Sequence, residues 1–157
     1  MSQYATFFLG DRMFGLDLLA IREINRNLDI TPVPHARPWI RGLINLRGQI
    51  VTILDLAVRL GLERQECLES SRTIILKARS GPKPGLPGDN AGPENASGDL
   101  MGFLADAIGE VVEADPAAME PPSANLGEAD SRFLAGVLHT GAGLLVLLDL
   151  QELLHGQ

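Results

Sequence analysis

The feature that most constrains this chain is that it repeats itself. Gly15-Leu-Asp-Leu-Leu-Ala-Ile-Arg-Glu-Ile24 resembles Gly102-Phe-Leu-Ala-Asp-Ala-Ile-Gly-Glu-Val111, and both read Gly-x4-Ala-Ile-x-Glu-[Ile/Val]. Ile40-Arg-Gly-Leu-Ile44 then resembles Leu134-Ala-Gly-Val-Leu138. Ile53-Leu-Asp-Leu56 followed by Leu60 resembles Leu147-Leu-Asp-Leu150 followed by Leu154. The order is the same in both halves, at an offset of 87 residues for the first pair and 94 for the others. Each match is weak in a leucine-rich chain, but three in order indicate two similar structural units. In a chain of 157 residues such units are too small to stand comfortably alone, so they should share a core.

The local pattern within each unit is mostly strand. Tyr4–Leu9 is short, carries Thr and aromatics, and runs into the turn signal Gly10-Asp11. Met13–Leu18 follows and should close a hairpin. Leu16–Ile24 has helical spacing and reads as either helix or strand. Ile30–Val33 is β-branched and carries Pro32 beside Pro34, so it reads as an edge or irregular strand. Ile50–Leu54 is a continuous apolar run, as in a strand buried on both sides. Asp55 is placed to cap a short helix over Leu56–Leu60 stopped by Gly61, and Asp149 an equivalent helix over Leu150–His155. Residues 80–98 are dense in Gly, Pro, Asn and Asp, between strand-like runs at Thr73–Ala78 and Leu100–Leu104. They read as a flexible loop at a hairpin tip or as an inter-domain linker. Short strands with Gly- and Pro-rich turns predict an all-β chain of small barrels with a few helical turns.

Composition excludes several functions. The net charge is -7 and the pI about 4.9, so nucleic acid and anionic membrane surfaces are poor partners. No apolar run is long enough to span a bilayer. No secretory leader is legible and Cys67 is the single cysteine, so the expected compartment is the cytoplasm. His35, His139 and His155 fit no metal spacing with one another or with Cys67, and no phosphate-binding loop or nucleophile motif is present. Cys67 follows Glu63-Arg-Gln-Glu66, an acidic setting that would raise its thiol pKa. The expectation is no enzyme, no cofactor and no metal.

A binding module remains. Arg47 lies within Ile44-Asn-Leu-Arg-Gly-Gln-Ile50, before a glycine, where a turn between strands is expected. An arginine there suits recognition of a partner's carboxylate or carbonyl; an intramolecular salt bridge is the other reading. Glu23, between Ile21 and Ile24, is either an exposed charge beside an apolar contact surface or simply solvated.

With those residues in view, the chain resembles the CheW family of chemotaxis coupling proteins. The matching segments are Phe8–Asp11, Phe14–Asp17, Ile21–Ile24, Ile30–Pro34, Ile40–Gly48, Ile53–Leu56, Gly102–Val111, Pro121-Pro122, Leu134–Val137 and Leu147–Leu150. The most specific is Gly42-Leu-Ile-Asn-Leu-Arg-Gly48. The resemblance implies one CheW-like domain over 1–157, built from two packed SH3-like five-stranded barrels. The expected division is about 15–79 for the first barrel and 1–14 with 100–157 for the second. It implies a scaffold without catalysis or cofactor. The implied partners are the regulatory domain of a CheA-type histidine kinase and the cytoplasmic tip of a methyl-accepting chemoreceptor. It places Ile21, Glu23 and Arg47 at partner surfaces, with Asn45 and Leu46 as neighbours. The loop at 80–98 looks longer than the family's usual turn, which leaves room for a variant adaptor in a non-motility array. A regulatory fragment of a kinase or adaptor fusion, and a small-molecule-binding β-barrel, are the alternatives.

Overall fold

The computed structural model describes residues 2–26, 29–63, 66–77, 100–122, 131–141 and 143–155. Among the described residues, ten strands form two five-stranded sheets. In chain order they are β1 (Ser2–Leu9), β2 (Arg12–Asp17), β3 (Ile21–Asn25), β4 (Ile40–Leu46) and β5 (Gln49–Asp55). Helix α1 (Leu56–Arg59) follows, then β6 (Arg72–Leu76), β7 (Leu100–Ala105), β8 (Ala107–Ala114), β9 (Leu134–Thr140), β10 (Gly143–Leu148) and helix α2 (Leu150–His155). The segment with two readings, Leu16–Ile24, resolves into the end of β2, a single 3-10 turn at Leu18–Ala20 and the start of β3. Asp17 holds that turn by accepting the Leu19 N–H at 2.9 Å.

One sheet runs β8-β1-β2-β10-β9 and the other β3-β6-β7-β5-β4. The repeats make these one arrangement used twice: β2, β3, β4 and β5 correspond to β7, β8, β9 and β10, and β6 takes the place of β1. Each sheet curls toward closure in the same way. Beyond β3, Thr31 exchanges backbone hydrogen bonds with Leu43 of β4 at 2.8 and 2.9 Å. Beyond β8, Glu120 does so with Val137 of β9 at 2.9 and 2.8 Å. The expected irregular strand at Ile30–Val33 is therefore one bridge.

The expected division between barrels is corrected at two points. Gly15–Asp17, expected in the first barrel, belong to the β8-β1-β2-β10-β9 sheet as the end of β2, and Leu100–Ala105, expected in the second, belong to the β3-β6-β7-β5-β4 sheet, where β7 pairs with β5 and β6. Each repeat begins in one sheet and crosses to the other, so repeat and barrel do not coincide. The loop expected at 80–98 lies outside the described residues.

The packing explains the crossing. The largest apolar cluster draws on both sheets: Phe7, Phe14 and Leu16 from one meet Leu54, Ile74, Leu76 and Phe103 from the other. Each sheet also has its own interior, filled in one by Ile44, Leu46, Val51, Ile53, Ile75, Leu100 and Leu104, and in the other by Tyr4, Leu138, Leu145 and Leu147. Strands between barrel interior and shared core are apolar on both faces. This is why Thr73–Leu76 is fully buried, with Ile74 on the shared core and Ile75 inside the barrel. The run Ile50–Leu54 follows the rule only in part, because Ile50 is 47% exposed and Thr52 half-buried.

Candidate functional site

The site is built at the tip of the β4–β5 hairpin. Leu46 pairs with Gln49, leaving Arg47 and Gly48 as a two-residue loop. Both have positive φ, 52° and 85°, the pattern of a type I′ turn, whose twist matches that of the flanking strands. Asn45 secures the loop, its Oδ1 accepting the Gly48 N–H at 2.8 Å. Leu46 is only 6% exposed and anchors the tip in the barrel interior.

The Arg47 side chain reaches across to β3. Its Nη2 donates to Glu23 Oε1 at 2.5 Å, and Asn25 Nδ2 donates to Glu23 Oε2 at 2.9 Å. The pair stays in contact with water, with side-chain exposures of 65% for Arg47 and 25% for Glu23. The hydrogen bond from Arg47, then that from Asn25, hold the Glu23 carboxyl below its usual range against the opposing effect of burial. The bond to Glu23 raises Arg47 in turn. The salt bridge and the exposed charge, two separate readings of the sequence, are therefore both present in one group.

Among the residues expected at a partner surface, the structure brings Glu23, Asn45 and Arg47 together. Ile21 is half-buried and packs against the shared core. Leu46 is corrected from surface neighbour to core residue, because its side chain points into the barrel while its neighbours alternate outward. Sequence reading missed Asn25, Ile24 and Ile50. Ile24 is 40% exposed on β3, next in sequence to Glu23, and Ile50 pairs with Asn45 at the start of β5. The signal for Ile50 is its place opposite Asn45, one residue past the pair that closes the turn. Ile24 was obscured by a register shift between Ile21 and Glu23, which breaks simple alternation.

Cys67 is exposed and lies 3.7 Å from the Arg41 Nη2 donor, a cationic contact that corrects the acidic setting read from its sequence neighbours. Among the described residues no group of three or more His, Cys, Asp and Glu is placed to hold a metal. No helix among them is long and apolar enough to cross a membrane.

Comparison with known proteins agrees with this architecture. The chemotaxis protein CheW of Treponema pallidum is 26% identical over 156 residues, covering 96% of this chain and 81% of that protein. The chemotaxis protein CheW of Rhizobium meliloti is 26% identical over 146 residues, covering 93% and 83%. The crystal structure of the scaffolding protein TtCheW from Thermoanaerobacter tengcongensis superposes with a TM-score of 0.77 at 27% identity, over 97% of this chain and 86% of that one. The family model of the CheW-like domain matches residues 3–157, and the chain belongs to that family.

Proposed function

We propose that this chain is a cytoplasmic, non-enzymatic scaffold that couples chemoreceptors to a CheA-type histidine kinase in chemotaxis-like signalling, with the Glu23–Arg47 face as a docking surface. The observation that carries the docking assignment is Arg47 itself. A non-glycine residue at φ 52° is a local strain that glycine or asparagine would ease. Strain of this kind accumulates where function needs a side chain. Here it holds a guanidinium at the apex of a hairpin, beside a carboxylate, with exposed Ile24 on β3 and exposed Ile50 on β5. A planar donor fork beside apolar side chains is the composition of an interface hot spot. The kinase's regulatory domain and the helical tip of the receptor are the partners this reading assigns. Two weak contacts become a firm complex when both partners are held in an array, because linkage raises their effective concentration.

The test is a calorimetric titration against the regulatory domain of the CheA-type kinase from the same organism. Wild type should bind saturably at one to one. Arg47→Gly, which suits the turn, and Glu23→Gln should each weaken binding about tenfold with the fold intact. Wild-type affinity in both folded variants would remove this face from the kinase interface. No binding by wild type would remove the kinase.

A further inference from the structure

We infer that Arg59 is a pin on the pseudo-twofold axis between the barrels, clamped between Trp39 and Phe133, and that it fixes how the barrels sit on one another. The repeat makes Trp39 and Phe133 equivalent positions, 94 residues apart. The structure treats them alike: the Trp39 carbonyl accepts the Asp55 N–H and the Phe133 carbonyl the Asp149 N–H, each at 2.8 Å. Arg59 and Leu153 are also equivalent at the same offset, one on α1 and the other on α2. These two positions touch, since Arg59 Nε donates to the Leu153 carbonyl at 3.1 Å. Residues that correspond under a two-fold and meet one another lie on its axis.

At that axis the symmetry is broken by chemistry. The Arg59 Cζ sits 4.2 Å from the Trp39 ring centre and 4.7 Å from that of Phe133, within cation–π range of both. Its Nη2 also approaches the Glu152 carbonyl at 3.4 Å. The guanidinium thus serves carbonyls in the last turn of α2, which lack partners within the helix. Arg59 is only 7% exposed. A buried charge is costly unless its donors are satisfied, and Leu153, buried to 1% exposure, shows that leucine fits the equivalent position. Arg37 also lies over Trp39, at 5.4 Å, and Arg132 over Phe133, at 4.4 Å, but only Arg59 lies over both rings. Leucine at 59 as well would remove that shared cation and take its donors from the α2 carbonyls. Arginine at both would oppose two like charges. One arginine and one leucine satisfies the axis, and it ties α1 of one barrel to α2 of the other.

Trp39 is the only tryptophan, so its fluorescence reports the clamp directly. In Arg59→Leu the Trp39 emission should shift and the thermal midpoint fall by about 5 °C. The double variant Arg59→Leu/Leu153→Arg, which offers the guanidinium from the opposite side, should recover most of both. Arg59→Lys keeps a cation between the rings but loses the planar fork. It should stay folded while amide exchange in α2 quickens about tenfold or more. This variant keeps the test open if Arg59→Leu does not fold. Unchanged emission and midpoint in Arg59→Leu, unchanged α2 exchange in Arg59→Lys, or a double variant no better than Arg59→Leu would each overturn the assignment.

Discussion

Asp55 and Asp149 occupy equivalent positions and begin equivalent helices, yet they should tolerate substitution very differently. Asp55 Oδ1 accepts the Val58 N–H at 3.1 Å, and Asp149 Oδ1 accepts the Glu152 N–H at 3.2 Å. Replacing either by alanine removes a helix cap, worth about 1 kcal/mol. Only Asp55 has a second role. It is 1% exposed, and its Oδ2 accepts a hydrogen bond from Arg41 Nη1 at 3.1 Å. Asp55→Ala therefore also strips the anion from a largely buried guanidinium, and breaking a buried pair costs about 3–5 kcal/mol. Arg41 retains 14% side-chain exposure, so water relieves part of that cost and the lower end applies. Asp55→Ala should destabilise by about 3–4 kcal/mol and Asp149→Ala by about 1 kcal/mol. At about 2–4 °C per kcal/mol for a chain of this size, the midpoints should fall by roughly 10 °C and 3 °C. Calorimetric melts of the two variants, with urea titrations at fixed temperature, measure the difference. Adding Arg41→Met to Asp55→Ala should recover part of the loss, because the unpaired charge is then gone. Equal losses in the two single variants would refute the claim that the Arg41 pair sets Asp55 apart.

Gly15 and Gly102 head the two repeats but differ in what a methyl group would meet. At Gly102 it would lie 2.6 Å from the Ile74 carbonyl oxygen, whereas at Gly15 the nearest atom is Leu145 Cδ1 at 2.9 Å. Backbone cannot yield as a side chain can, so Gly102→Ala should unfold at lower denaturant than Gly15→Ala. Arg47→Gly should keep or raise the thermal midpoint, since glycine adopts a φ of 52° freely; a clear drop on melting would make Arg47 a structural residue. Glu23 is depressed below its ordinary 4.5, so its contact with Arg47 stabilises the fold fully above that pH and loses this effect as pH falls through the folded-state value. Its carboxyl resonance should titrate below 4.5 in wild type and move upward in Arg47→Gly, which NMR can follow.

What was legible in the sequence was the part written in local chemistry. Gly10, Gly48 and Gly61 mark turns at positive φ, and Asp55 caps α1 as its place before Leu56 implied. The two sheets of five strands agree with the expected all-β architecture of paired barrels. Local sequence does not name Glu23 as the partner of Arg47, because the residues lie 24 positions apart and nothing local says that β3 passes the hairpin tip. Leu46 is next to Arg47 in sequence but not on its surface, because strand neighbours face opposite ways. The exposure of Ile24 follows from the register shift in β3, which a period of two does not encode.

The crossing of the repeats carries the largest consequence. β1 and β2 are interior strands of their sheet, with β8 on one side and β10 on the other. Phe7, Phe14 and Leu16 on them face Leu54, Ile74 and Phe103 of the other sheet. β7 in turn lies between β6 and β5, although its repeat continues into β8 of the first sheet. The β3-β6-β7-β5-β4 barrel is thus one continuous stretch of chain, Ile21 to Ala105, that takes in the first strand of the second repeat, whereas the other barrel joins β1 and β2 to β8, β9 and β10 from the far end of the chain. A chain starting at Leu18 still contains every strand of the β3-β6-β7-β5-β4 sheet. It should nonetheless lose both barrels, because the shared core would stand open on one whole face. Amide-exchange protection in β5 and β6 of that shortened chain decides the matter. Collapse to unprotected exchange means one cooperative unit, and native protection there would mean that the β3-β6-β7-β5-β4 barrel folds without the other.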